Sequence, residues 1–195
     1  MIGLRRVGPD EFVSRLGSVL DIYTAAMDPP AEQLSGRRTI MGNHATHPGF
    51  TCLFAELPDG TPVGLAYGFH GAPGQWWHDV VHQAVAERHG AAGAHGWLGD
   101  ALELAEIHVH PGHQGKGIGR SLVLGVCEDR PERTAVLSTR DLPTVARRLY
   151  RSLGFVDLLT AFVFPGGHER YVIAGAVLPL APERPGTGPR GAGAG

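Results

Sequence analysis

A glycine-rich turn is the part of the chain whose residue types point most directly to chemistry. It runs from Val109 to Arg120 with the sequence Val-His-Pro-Gly-His-Gln-Gly-Lys-Gly-Ile-Gly-Arg. An apolar, strand-like stretch precedes it, and apolar side chains recur at helical spacing after Gly117. The first backbone N–H groups of a helix have no partner within the helix, and the helix dipole adds partial positive charge there. The turn therefore predicts a binding site for phosphate groups.

Two common phosphate-binding motifs do not match this turn. A P-loop needs Gly-x-x-x-x-Gly-Lys-Ser/Thr, but counting from Gly112 the second glycine is Gly117, and Ile118 follows it. A dinucleotide fingerprint needs Gly-x-Gly-x-x-Gly early in a βαβ unit, whereas Gly115, Gly117 and Gly119 alternate late in the chain. The spacing is that of neither motif.

The turn and a second motif together resemble the GNAT superfamily of N-acetyltransferases, which use acetyl-CoA. The sequence Gln-x-x-Gly-x-Gly, from Gln114 to Gly119, resembles the family's coenzyme-A signature. The stretch Leu-Tyr-x-x-x-Gly-Phe, from Leu149 to Phe155, is similar to the family's second signature, which ends a helix. The order and separation of the two motifs also match the family.

The resemblance implies an acetyl-CoA-dependent N-acetyltransferase with a defined set of cofactor contacts. The pantetheine arm is expected to pair with strand backbone, and an N–H there would stabilise the oxyanion formed in acyl transfer. That stretch of strand is Ile107, His108 and Val109. The pyrophosphate is expected on the turn, at Gln114, Gly115, Lys116, Gly117, Ile118, Gly119 and Arg120. No metal ion is expected.

Tyr150, Glu103 and Glu106 are the candidate catalytic side chains. The resemblance places the Tyr150 hydroxyl near the thioester sulfur, where it can protonate the departing thiolate. Some family members carry, at the position of Glu103, a glutamate that deprotonates the amine through water. Strand alternation predicts that Glu103 and Glu106 point to opposite faces, with Glu106 and His108 on one face. Glu103 is preferred as the base, while Glu106 and His108 stay open as alternatives.

Pro143 departs from the family pattern. Many members have an asparagine at this position, where the helix that carries the tyrosine begins. Proline has no backbone N–H and no side-chain amide, so a contact of that asparagine must be lost or replaced. Thr139, Asp141 or Thr144 can replace it. The sequence also predicts Asp141 as the N-cap of this helix, with Pro143 in its first turn.

The 11 histidines raise the question of a metal site. His78 and His82 have the i, i+4 spacing that suits zinc on a helix, but no obvious third ligand follows. His108, His110 and His113 form a second group, of which only the first two share a strand face. Ordinary surface and loop positions explain both groups, so no metal site is predicted.

Two adjacent tryptophans, Trp76 and Trp77, lie in an insertion-like segment, residues 71–100, with a helix predicted near Trp76–His89. Neighbouring positions cannot both face one core. One alternative is that a tryptophan lines the acceptor pocket or a subunit contact. The other is that one tryptophan packs inward while its neighbour is half exposed.

Strand and helix patterns alternate along the chain and predict an α/β, α+β layered fold. The expected architecture is GNAT-like, with a central mixed but mostly antiparallel sheet of about six or seven strands, flanked by helices. Residues 1–180 are predicted to form this domain, and the Pro/Gly-rich residues 181–195 a disordered tail. The predicted strands are Ile2–Val7, Phe50–Leu57, Pro62–Phe69, Leu102–Val109, Thr134–Ser138, Phe155–Phe164 and Tyr171–Leu178.

Composition limits the partners. The net charge of −2 gives no basic surface for nucleic acid, and no stretch has the roughly 20 apolar residues of a membrane span. Two cysteines and the lack of a signal peptide predict a cytoplasmic protein with reduced thiols.

The expected acceptor is a small-molecule, antibiotic or peptide amine, attacked directly within a ternary complex. A homodimer is possible, and the alternative function is a non-catalytic acyl-CoA-binding or sensing module.

Overall fold

Seven strands form one sheet in the computed structural model, which describes residues 2–180. The sheet order is β1-β2-β3-β4-β5-β7-β6, and only the β4–β5 pair is parallel. This confirms the predicted mixed, mostly antiparallel sheet. The strands are β1 (Gly3–Val7), β2 (Thr51–Glu56), β3 (Pro62–Gly71), β4 (Ala101–Val109), β5 (Thr134–Arg140), β6 (Val156–Phe162) and β7 (Tyr171–Val177).

Helices cover both faces of the sheet. On one face, α5 places Leu122 and Val126 against a buried layer that includes Leu104 of β4, and α6 packs on the same side. On the other face, α2 packs over β3, and α4 packs over β5 and β7. The helices are α1 (Pro9–Ser14), α2 (Leu16–Met27), α3 (Leu34–His44), α4 (Trp76–Leu98), α5 (Ile118–Cys127) and α6 (Val145–Ser152).

Two helices differ from the sequence-based expectation. Apolar residues recur at helical spacing from Phe12 to Met27 and predict one helix that begins at Pro9, but Arg15 (φ −105°, ψ 13°) breaks it and separates α1 from α2. The helix predicted near Trp76–His89 continues to Leu98, with a kink at Gly90 (φ 79°, ψ 164°). Glycine reaches this positive φ without the steric cost of a Cβ, so two helical segments can meet there at an angle. The tail predicted at residues 181–195 lies outside the described residues.

A bulge in β4 changes which side chains share a face. Tyr67 of β3 lies opposite Glu106, and Gly68 lies opposite Leu104, so Ala105 is an extra residue without a partner. Gly68 is required at this point, because a Cβ there would lie 2.4 Å from the Glu103 carbonyl oxygen. After the extra residue, the alternation of β4 shifts by one position.

The parallel strands β4 and β5 pair only at their beginnings. Ala101, Leu102 and Glu103 lie opposite Thr134, Ala135 and Val136, and the pairing ends there. Since β4 continues to Val109 and β5 to Arg140, the two strands diverge and open a cleft through the sheet. No helix within residues 2–180 is both long and apolar enough to cross a membrane.

Candidate active site

The phosphate turn has the backbone conformation that its glycines predict. Gly115 (φ 75°) and Gly117 (φ 79°) both adopt left-handed conformations, which L side chains rarely take up. Gly117 is the N-cap of α5, and no side chain of the described residues caps this helix. The N–H groups of the first turn of α5 are therefore available to an anion, and the site fits the phosphates of coenzyme A.

Side chains of the turn fold back onto its own backbone. The Gln114 side-chain amide donates to the Val109 carbonyl over 2.9 Å, which ties the end of β4 to the turn. The exposed Lys116 ammonium lies 3.3 Å from the Gly112 carbonyl. The Ile118 side chain is buried in the core, so this residue can contact a ligand through its backbone N–H.

The start of α5 is held close to α6. Arg120 Nη1 donates to Ser152 Oγ over 3.1 Å. Gly119 differs from Gly115 and Gly117 because its φ is not positive. A Cβ at Gly119 would lie 3.5 Å from Leu149 Cδ2, which is an ordinary contact distance. The two family motifs predicted from sequence are thus neighbours in space.

The strand backbone expected to meet the pantetheine arm lies along the cleft. Ile107, His108 and Val109 pair with β3 on one side. Their other side faces the gap where β5 has diverged. An extended ligand can therefore reach this edge of β4 without displacing a strand. The contact itself stays a prediction.

Glu103 combines burial with an unused oxygen. The residue is 4% exposed, between Phe69 of β3 and Val136 of β5, at the last paired position before the cleft. Its Oε2 atom has no hydrogen-bond partner among the described residues. Burial raises the pKa of this carboxyl to about 8, because the charged form loses hydration. A carboxyl with this pKa can exchange a proton near neutral pH.

Glu106 lies on the same face as Glu103, so the predicted placement on opposite faces is wrong. The bulge at Ala105 is the reason, because simple alternation assumes a regular strand. Both oxygens of Glu106 are engaged: Oε1 accepts from Arg37 Nη1 over 3.1 Å, and Oε2 lies 2.5 Å from His108 Nε2. The predicted sharing of a face by Glu106 and His108 is confirmed. Within residues 2–180, Glu106 is paired with the Arg37 cation, whereas Glu103 has no cationic partner.

Tyr150 lies in the last turn of α6 and is almost fully buried. Its ring packs 5.7 Å from that of Phe155. Burial, and secondly the negative charge of Glu106, raise the pKa of the Tyr150 phenol. The hydroxyl is protonated at neutral pH, as a general acid must be, and the raised pKa makes it a weaker acid than a phenol in water.

The N-cap of α6 is Thr144, and the prediction of Asp141 is wrong. The Thr144 hydroxyl accepts from the Arg147 N–H over 3.1 Å. Asp141 instead accepts hydrogen bonds from two other donors, Arg147 Nη1 at 2.5 Å and the Ala161 N–H at 2.8 Å. Pro143 consequently precedes the cap and lies outside the first turn.

The two tryptophans have different environments. Trp77 turns inward, and its indole Nε1–H donates to Ser138 Oγ of β5 over 3.3 Å. Trp76 is 60% exposed and packs against Phe164, with the ring centroids 5.6 Å apart and the rings tilted by 31°. The alternative in which one tryptophan packs and its neighbour is exposed describes this pair.

Within residues 2–180, no group of three or more His, Cys, Asp or Glu side chains is arranged to hold a metal ion.

Arg37 is a residue of the site that sequence reasoning missed. It lies on α3, and its guanidinium carbon is 5.0 Å from the centre of the Tyr23 ring. The Tyr23 ring in turn meets His108 edge to face at 5.2 Å. Arg37 and Glu106 are 69 positions apart in the chain, so no local sequence signal could have paired them.

Comparisons with known proteins agree with this geometry. The profile of the family described as "Acetyltransferase (GNAT) domain" matches residues 53–157. A GCN5-like protein acetyltransferase of Mycobacterium tuberculosis is 30% identical over 198 residues, covering 88% of this chain and 96% of the relative.

Solved structures show the same fold. The yncA protein of Salmonella typhimurium, solved with its cofactor acetyl-CoA, has a TM-score of 0.62 at 18% identity, covering 91% of this chain and 94% of that one. The ribosomal-protein-S18-alanine N-acetyltransferase of Escherichia coli has a TM-score of 0.59 at 19% identity, covering 94% and 97%. At such identities the likeness concerns the fold alone. With the family profile and the mycobacterial relative, the chain is thereby shown to belong to the GNAT acetyltransferase family.

Proposed function

We propose that this acetyltransferase moves the acetyl group of acetyl-CoA to a primary amine, by direct attack of the amine within a ternary complex. The observation that carries the proposal is Glu103, a buried carboxyl with an unpartnered oxygen at the point where β4 and β5 diverge. An amine is mostly protonated at neutral pH and must lose a proton before it attacks. A base at this point of the cleft can receive that proton.

The donor side of the site is formed by the turn and by the edge of β4. Acetyl-CoA supplies an acetyl group that is activated as a thioester. The N–H groups at the start of α5, after Gly117, hold the phosphates, and the exposed Lys116 adds positive charge at the rim. The backbone of Ile107 to Val109 orients the arm, and an N–H there stabilises negative charge on the carbonyl oxygen.

Two side chains handle protons in this proposal. Glu103 accepts the proton of the amine, directly or through water, and its pKa of about 8 suits that exchange. Tyr150, which is protonated at neutral pH, gives a proton to the departing sulfur, and the phenolate left behind takes up a proton from solvent before the next turnover. Glu106 is not needed as a base, since Arg37 and His108 occupy its oxygens.

The acceptor in this proposal is an amine of a small molecule or a peptide. The mycobacterial relative is named a protein acetyltransferase, and the E. coli neighbour's name specifies an alanine of a ribosomal protein. Both names support an amino group as acceptor. They support a peptide amine more directly than an antibiotic.

The test is thiol release from acetyl-CoA with the full-length protein across a panel of amines. Direct attack predicts that initial-rate lines intersect when both substrates are varied, and that mass spectrometry finds one acetyl group on the amine. Parallel lines would indicate a covalent acetyl-enzyme and contradict direct attack. Saturable binding of coenzyme A with no turnover on any amine would favour the non-catalytic binding module.

A further inference from the structure

Arg37 is a cation placed next to the reacting groups by a contact that the mechanism does not use. Its Nη1 group lies 3.1 Å from Glu106 Oε1, and Glu106 is on β4 beyond the last residue paired with β5. The negative charge of Glu106 also reaches the Tyr150 hydroxyl. Arg37 is therefore paired with the carboxylate whose charge also acts on the proposed general acid.

Arg37 comes from the face of the sheet on which Glu103 lies. The bulge at Ala105 sets Glu103 and Glu106 on this face, opposite Phe69 and Tyr67 of β3. The Arg37 side chain is 35% exposed, whereas that of Glu106 is 10% exposed. The carboxylate of Glu106 is thus largely shielded from solvent, whereas part of the Arg37 side chain is accessible to it.

The guanidinium has hydrogen-bonding capacity beyond its contact with Glu106. Arginine carries five N–H donors, and the bond to Glu106 uses one of them. The ring of Tyr23 lies beside the group, with the guanidinium carbon 5.0 Å from the ring centre. A planar guanidinium with remaining donors is suited to bind a carboxylate through two parallel hydrogen bonds.

The charge balance on β4 favours an acidic group on the acceptor over a second basic one. Glu106 already shares its two oxygens between Arg37 and His108. Glu103, the other carboxyl on this face of β4, is the proposed base, and its free oxygen is needed for the proton of the reacting amine. A second ammonium group on the acceptor would therefore find no uncommitted carboxylate on β4, whereas a carboxylate can use the remaining donors of Arg37.

We propose that Arg37 binds a carboxylate of the acceptor, close to the amine that is acetylated. This inference rests on the proposed function, and it narrows the acceptor to an amine with an acidic group near it. The carboxylate belongs either to a small amino acid or to an acidic side chain beside a peptide lysine. The chemistry that Arg37 recognises is the same in both.

The experiment compares acceptors that differ only in this group. One pair is β-alanine and its amide, and another is a capped lysine peptide with glutamate or glutamine beside the lysine. Each rate is divided by the concentration of the unprotonated amine, because replacing the carboxylate by an amide lowers the pKa of the acceptor's amine. The wild-type protein is expected to prefer the acidic member of at least one pair, and which pair shows the preference identifies the source of the carboxylate.

Arg37→Met tests the residue, with Arg38→Met as the matched control. Arg38 is the next residue of α3 and is exposed, so its substitution removes the same charge away from Glu106. Loss of a hydrogen-bonded charge pair predicts a fall of about 10–100-fold in kcat/KM for the acidic acceptor, mainly through KM. The amide acceptor is expected to change little, Arg37→Lys to lie between the two, and Arg38→Met to behave like wild type.

Three outcomes would overturn this inference, and they separate it from the proposed function. Equal losses for both members of a pair would mean that Arg37 only positions Glu106. Acetylation of amines without any preference for the acidic member would remove the inference and leave the proposed function intact. Absence of turnover on every amine, with coenzyme A still bound, would remove both.

Discussion

Two buried acidic side chains, Glu103 and Tyr150, have opposite proton-transfer roles for physical reasons that can be separated. Burial raises the pKa of both groups. For a carboxyl, the increase brings the pKa to about 8, where the group can give and take a proton. A phenol is protonated at neutral pH already, and the same effect raises its pKa further, so the hydroxyl stays a donor but is a weaker acid than a phenol in water. One environment thus produces a candidate base and a candidate acid.

Tyr150→Phe tests the acid. The substitution removes the hydroxyl and keeps the ring that packs against Phe155. We expect kcat to fall by about 10²–10⁴-fold, the usual contribution of a general acid, with little change in the affinity for coenzyme A. Turnover is measured at saturating substrates, and binding by calorimetry. A variant that keeps full turnover would show that Tyr150 only ends α6 against the core.

At the scale of single elements, the bulge in β4 decides how the site is assembled. It sets Glu103, Glu106 and His108 on one face, and it depends on Gly68 in the neighbouring strand. A side chain at Gly68 would meet the backbone of β4, which cannot move aside as a flexible side chain can.

Gly68→Ala is expected to lower the free energy of unfolding by about 1–3 kcal/mol, the usual cost of overpacking. Because the strain falls on the Glu103 carbonyl, activity at a temperature where the variant is folded should fall as well. Gly3→Ala in β1 is the control, since its added Cβ meets nothing within 4 Å. Denaturant melts measure both variants. Equal stability of the two would contradict the role given to Gly68.

The turn before α5 allows a second test at this scale. Gly117→Ala places a Cβ on a residue with φ 79°, which costs about 1–2 kcal/mol. The free variant is expected to relieve this strain by changing the turn, and binding must restore the turn, so the dissociation constant for coenzyme A should rise by about 5–30-fold. Gly17→Ala in α2 has open space and no positive φ, and should bind coenzyme A like wild type. Unchanged binding by Gly117→Ala would show that the turn does not hold the ligand.

Local patterns predicted the elements that depend on local chemistry. The turn from Gln114 to Gly119 was predictable because its glycines and the start of α5 are adjacent in the sequence, so a local pattern indicates both. The bulge was not, since it appears only when β3 and β4 are paired in register. Likewise, Asp141 does not cap α6, because its carboxylate accepts a hydrogen bond from the Arg147 guanidinium. That contact exists only in the folded chain. The contact of Arg37 with Glu106 joins positions 69 apart.

For the whole molecule, the diverging strands connect two layers that are otherwise separated by the sheet. The phosphate turn and α6 lie with one layer, while Arg37 and the carboxyls of β4 lie with the other. The cleft is the point where a donor held on one side can meet an acceptor from the other. The cytoplasmic location stays a prediction, and the homodimer stays a possibility that no observation on residues 2–180 tests.

The buried carboxyl of Glu103 also links the stability of the whole fold to pH. Its pKa is about 8 in the folded chain against an ordinary value of 4.5, so between these values the folded state keeps a proton that the unfolded state has lost. Stability from this group is therefore present at low pH and is lost as the pH rises through about 8. Glu103→Gln should flatten this part of the profile, whereas the exposed control Glu32→Gln should not. Thermal melts at a series of pH values measure the difference. Parallel profiles for Glu103→Gln and wild type would contradict the raised pKa.

The most direct test of Glu103 as the base is the pH dependence of kcat/KM for one amine acceptor, in wild type and in Glu103→Gln. The acceptor's own ionisation contributes equally to both profiles, so their difference isolates the enzyme. The account predicts that wild-type activity rises with pH through about 8, as the carboxyl loses its proton, and that the variant is slower and lacks this limb. The same limb in both proteins would contradict it.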